Sequence, residues 1–149
     1  MNKKNSFSKI LFLVVLMAST AVMAGGIFPY KVHRVNLNNG FKAILIPIQG
    51  SGLVSYYTVV RTGSRDEWEP GKSGFAHFFE HMMFRGTDKY PLYDSVTTTF
   101  GADANAYTDD DLTVYHLNFA AEDLEKVIDL ESDRFMNLNY KKDQFMTEA

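Results

Sequence analysis

The residues best suited to chemistry lie in one short run, His77-Phe78-Phe79-Glu80-His81. On a helix, side chains four residues apart project from one face, so His77 and His81 would converge on a common point. Two neutral imidazoles at that spacing can hold one zinc ion with little rearrangement. Glu80 immediately precedes the second histidine and is placed to hold an attacking water. Zinc lowers the pKa of its bound water toward neutrality, and a nearby carboxylate can then take the proton. This combination suits hydrolysis of a peptide carbonyl. The order His-x-x-Glu-His inverts the commoner His-Glu-x-x-His arrangement. The competing reading is a buried helix whose polar groups are satisfied by ordinary hydrogen bonds. It leaves Glu80 costly to bury among Phe78, Phe79 and Met82.

The remaining candidates are weaker. His33 and His116 fall in strand-like segments and read as strand-face residues, because only the helical pair has ligand spacing. Asp109-Asp110-Asp111 lacks the alternating ligands of a calcium loop and reads as a solvated turn. There is no cysteine, so any metal must rest on histidine and carboxylate, a donor set that favours zinc.

The 149 residues amount to one domain or less, and 46% hydrophobic with 22% charged residues is ordinary for a globular chain. Residues 1–24 read as a cleaved signal peptide. Lys3, Lys4 and Lys9 precede an apolar run from Ile10 to Val22, and Val22-Met23-Ala24 offers a cleavage site before Gly25. That run is shorter than the roughly 20 residues of a spanning helix, and no cysteine is present for lipid attachment, so no stable membrane anchor is expected after cleavage. The expected destination is the periplasm or the medium. Residues 25–149 retain 12 basic against 18 acidic residues, a net −6 with His neutral. The absence of a basic patch argues against nucleic acid as a partner.

The elements that must position the motif follow from pattern. Lys31–Leu37 and Phe41–Ile48 read as strands joined by an Asn38-Asn39-Gly40 turn, and Leu53–Thr62 as a third strand. Ser73–Phe84 is predicted to be a helix, apolar on more than one face and therefore buried. A short helix is predicted over Leu92–Phe100, stopped by Gly101. Ala104–Thr108 and Leu112–Phe119 read as a strand pair. Glu122–Leu138 reads as a helix with Leu124, Ile128 and Phe135 on one face and Val127 beside it. Asp143 is the predicted N-cap of a last helix. The order β-β-β-α-α-β-β-α-α predicts an α+β fold, an antiparallel or mixed sheet with helices packed on one face.

Beyond the pentapeptide, Gly63-Ser64-Arg65-Asp66-Glu67, the whole of Gly74–Thr87, Gly101 with Asn105-Ala106-Tyr107-Thr108, and Glu131-Ser132-Asp133-Arg134-Phe135 resemble the N-terminal zinc domain of the pitrilysin and insulinase peptidases, the inverzincins of family M16. These motifs fall in the family's order across nearly all of residues 25–149. The resemblance implies a zinc-dependent endopeptidase in which His77 and His81 bind Zn2+ and Glu80 is the general base. It implies that Asn105 and Ala106 lie on a strand where the backbone of a peptide or protein substrate adds as a further strand. It also implies a third zinc ligand, a glutamate seven residues beyond the one that Glu148 matches, near position ~155. Glu148 would then support the site without binding the metal; alternatively it reaches the metal itself. On this reading residues 25–149 are an incomplete N-terminal half-domain of a longer peptidase, which pairs with a second homologous half or subunit. A non-catalytic structural or binding homologue on the same fold is the alternative.

Overall fold

A computed structural model describes residues 28–148; the signal-peptide reading of residues 1–24 lies outside them. Two compact units divide at Gly50/Ser51. In the first, β1 (His33–Asn36) and β2 (Lys42–Leu45) form an antiparallel hairpin with His33 opposite Leu45 and Asn36 opposite Lys42. The predicted turn is in place: Gly40 takes φ 87°, and the Phe41 amide donates to Asn39 Oδ1 at 3.1 Å. His33 is an exposed strand residue.

The second unit carries the motif. Its sheet is antiparallel, in the order β3 (Leu53–Val60), β5 (Thr113–Ala120), β4 (Asp103–Thr108). Tyr57 lies opposite His116 on one side, and Asn105 lies opposite it on the other. Four helices follow the predicted order: α1 (Phe75–Met82), α2 (Tyr93–Thr99), α3 (Leu124–Asn137) and α4 (Lys142–Glu148). The fold is α+β, with helices packed on one face of the sheet. Leu117 and Phe119 of β5 meet Tyr93, Val127 and Leu130 to form the core. Gly101, at φ 58°, stops α2 where the left-handed conformation favours glycine.

Three local expectations need correction. Helix α1 is not buried all round: Phe75 and Phe79 are 47% and 46% exposed, while Ala76, Glu80 and Met82 are buried. Helix α3 is rotated from its expected face. Leu124, Ile128 and Phe135 are partly exposed, and Val127, Leu130, Glu131 and Arg134 are buried. The reason is a buried ion pair, Arg134 Nη2 to Glu131 Oε2 at 2.5 Å, which carries two charged residues inward. Asp143 lies within the first turn of α4, not at its cap.

The three-aspartate turn is exposed, as expected of a solvated turn, but it also has a structural partner. Ser64 N donates to Asp109 O at 3.1 Å and Arg65 N to Asp110 O at 2.9 Å, and Arg65 pairs with the side chains of Asp110 and Asp111. This seats the turn directly against Gly63, where an added methyl would collide with the carbonyl oxygens of Asp109 and Asp110. Gly63→Ala is therefore expected to cost about 1–3 kcal/mol, the usual range for overpacking a closed contact. Urea denaturation measures it, and an unchanged midpoint would refute the close approach.

Candidate metal and catalytic site

Helix α1 is held at both ends by side chains distant in sequence. At its start, Glu67 accepts hydrogen bonds from Gly74 N at 2.6 Å and Ala76 N at 2.5 Å. These amides belong to a first turn that has no partners within the helix. The negative carboxylate also suits the positive end of the helix dipole. Gly74, at φ 94°, makes the bend that brings the amides to Glu67.

His77 and His81 lie on the open side of α1, with their Nε2 atoms 3.1 Å apart. His81 Nδ1 is 2.7 Å from Glu148 Oε1, and Arg85 pairs with Glu148 Oε2. A carboxylate beside Nδ1 assigns the proton to that nitrogen, which leaves His81 Nε2 with its lone pair toward His77. The bond from Arg85 is the main influence holding the Glu148 carboxyl below its ordinary range; partial burial opposes it and His81 adds to it.

Glu80 is the buried member of the motif. It is 8% exposed and accepts a hydrogen bond from Thr108 Oγ1 at 2.5 Å. Thr108 ends β4 and sits 3.3 Å from Thr113 Oγ1, which itself donates to Thr62 O at 3.0 Å. Burial pushes the nearby Tyr115 hydroxyl up to about 12, with Arg134 opposing the shift and Glu80 and Glu131 adding to it. Glu80, His81, Phe84, Arg85, Asn105 and Glu148 line one cleft of ≈ 460 Å³. Asn105 is exposed and Ala106 half-buried. Both lie on β4, an edge strand whose second side is unpaired among the described strands. A more apolar hollow of ≈ 310 Å³, lined by Val60, Phe75, Phe79 and Tyr115 among others, opens beside the start of α1.

Two imidazole nitrogens on a tetrahedral zinc, each at about 2.0–2.1 Å from the metal, would lie about 3.4 Å apart. The 3.1 Å separation of His77 and His81 is close to that value, so this pair fits the ion. No group of three or more His, Cys, Asp or Glu residues is positioned to hold a metal among the described residues, and the expected third ligand falls outside them. Glu148 approaches His81 from the Nδ1 side, away from the two Nε2 atoms. His116 lies in β5 with Nδ1 buried and unpartnered and its ring stacked on Tyr57 at 5.5 Å.

Sequence reasoning missed Glu67, Thr108 and Arg85 as supports of the motif. All three stand within the motifs quoted above, but nothing in their spacing predicts a partner 9, 28 or 63 residues away.

The family described as "Insulinase (Peptidase family M16)" matches residues 51–149. Zinc protease PqqE of Helicobacter pylori is 32% identical over 138 residues, which cover 91% of this chain and 31% of that protein. Subunit 1 of the mitochondrial cytochrome b-c1 complex of Caenorhabditis elegans is 32% identical over 120 residues, 79% of this chain and 25% of that protein. A crystal structure of a protease from Helicobacter pylori superposes with a TM-score of 0.76 at 32% identity, covering 80% of this chain and 29% of that one. The chain thus spans less than a third of the length of these relatives.

Proposed function

Because the chain belongs to the insulinase family of peptidases, M16, we propose that it supplies the zinc-binding helix and general base of a zinc-dependent endopeptidase. The observation that carries this reading is the division of labour on α1: two imidazole nitrogens converge 3.1 Å apart on its open side, while Glu80 is buried one residue away against Thr108. His77 and His81 hold the ion, and the third ligand lies outside the described residues. Zinc, when bound, polarises the peptide carbonyl and acidifies the attacking water.

Every other role belongs to the chain's own side chains. Thr108 occupies Glu80 Oε2, which leaves Oε1 free to take the proton of the attacking water. The same oxygen returns that proton to the departing amine, so Glu80 ends the cycle ionised as it began. Asn105 and Ala106 present the free edge of β4 to an extended substrate, which pairs with it through main-chain hydrogen bonds. The substrate is a peptide or protein, the enzyme is exported to the periplasm or beyond, and a second homologous half or subunit completes the substrate chamber.

Metal removal tests the proposal. In the protein as its own gene encodes it, a chelator is expected to reduce hydrolysis of a quenched-fluorescent peptide library to background, and stoichiometric zinc to restore it. Full turnover with the metal stripped would sink it. The likeness to a cytochrome b-c1 subunit favours a second reading, an assembly subunit without hydrolysis. That reading predicts no zinc-dependent turnover and recovery of the protein in a stable hetero-oligomer.

A further inference from the structure

We propose that Arg85 is a positioning residue that commits Glu148 to the outer side of His81 and so sets the affinity of the histidine pair for metal. The inference rests on the zinc reading above.

Glu148 has two oxygens and two assignments: Oε1 lies 2.7 Å from His81 Nδ1, and Oε2 pairs with Arg85 Nη2. It belongs to α4, and its side chain is 19% exposed. Helix α4 meets α1 through Phe145 against Phe78, with ring centroids 4.8 Å apart. A carboxylate bound through one oxygen can still turn, and a second anchor holds it to one geometry. Arg85 is well placed to be that anchor, because its own backbone is fixed just beyond α1, where its amide donates to Met82 O at 3.0 Å. The guanidinium thus ties the carboxylate to the same element that bears the histidines.

Two consequences follow. With Oε2 occupied, only Oε1 is free for His81, which assigns the ring proton to Nδ1 and leaves Nε2 as a lone pair beside His77. The guanidinium also neutralises Glu148, so this carboxylate has less drive to swing round and compete for the metal. Lysine can supply the charge but not the planar fork, and methionine supplies neither.

The test is zinc affinity, measured by competition with a chromogenic chelator on the protein as its own gene encodes it, alongside kcat/KM. Arg85→Met is expected to weaken zinc binding roughly 10–100-fold, the range for loss of a partner that orients a ligand. Arg85→Lys should recover much of that loss. In a Glu148→Gln background Arg85→Met should add little, because both changes break one relay. A general folding defect would add the same penalty in either background. An Arg85→Met protein that binds zinc as tightly as its parent overturns the proposal and leaves the zinc reading standing. An equal penalty with and without Glu148 also overturns it. A parent protein that takes up no zinc overturns both.

Discussion

Glu80→Gln is expected to abolish peptide hydrolysis while zinc stays bound. Glutamine keeps the shape of the side chain and an oxygen that can still accept from Thr108 Oγ1, so the 2.5 Å contact to β4 survives. What it loses is the ability to take a proton. A positioned general base contributes roughly 10²–10⁴-fold to rate, and kcat is expected to fall by at least that much with KM little changed. Because Glu80 is only 8% exposed, replacing its charge with a neutral amide removes a desolvation penalty. The variant should therefore melt no earlier than its parent. Metal content, thermal melting and peptide turnover together separate the roles. An active Glu80→Gln protein with its zinc in place would show that another group moves the proton.

The largest loss of stability is expected from Arg134→Met. Arg134 and Glu131 are each 1% exposed and bonded at 2.5 Å. The guanidinium sits among the rings of Tyr93, Tyr115, Phe135 and Phe84, at 4.4, 4.9, 5.3 and 5.6 Å from their centroids. Tyr93 OH donates to the other oxygen of Glu131 at 2.9 Å. Removing the cation alone strands a buried carboxylate, which costs about 3–5 kcal/mol. The double variant Arg134→Met/Glu131→Gln strands no charge and keeps an acceptor for Tyr93, so it should lose less than Arg134→Met alone. Guanidinium denaturation of the parent, the two single variants and the double variant measures the coupling. Additive losses would mean that the pair is not a unit. Since Phe84 follows directly on α1 and Tyr115 lies beside Glu80, this buried charge also braces the wall behind α1.

The outline of the fold was legible because its signals are local. Asn38-Asn39-Gly40 encodes a tight turn within three residues, and Gly101 stops a helix by its own backbone freedom. The segments read as strands over Leu53–Thr62, Ala104–Thr108 and Leu112–Phe119 match β3, β4 and β5 to within two residues at each end. Helix α3 was recognised as a helix but assigned the wrong inner face. The Glu131–Arg134 pair has the i,i+3 spacing of a solvent-exposed ion pair, and only the aromatic cage around it makes burial favourable. An arginine within reach of Phe84, Tyr93 and Tyr115 cannot be read from α3 alone, since those rings come from three other segments. For α1 the error ran the other way. Its phenylalanines suggested burial on all sides, yet the described sheet covers one side and leaves Phe75 and Phe79 partly open.

The sequence by itself determined that His77, Glu80 and His81 share a helix, and the 3.6-residue period then settles which of them can converge. It also determined the family, through several motifs in fixed order. Tertiary structure decided that the histidines face outward while Glu80 is buried against Thr108, and that Glu148 meets Nδ1 of His81 with Arg85 behind it. The physical reason is range. Helical spacing is written into neighbouring residues, but a hydrogen bond across 28 or 67 positions exists only once β4 and α4 have packed beside α1.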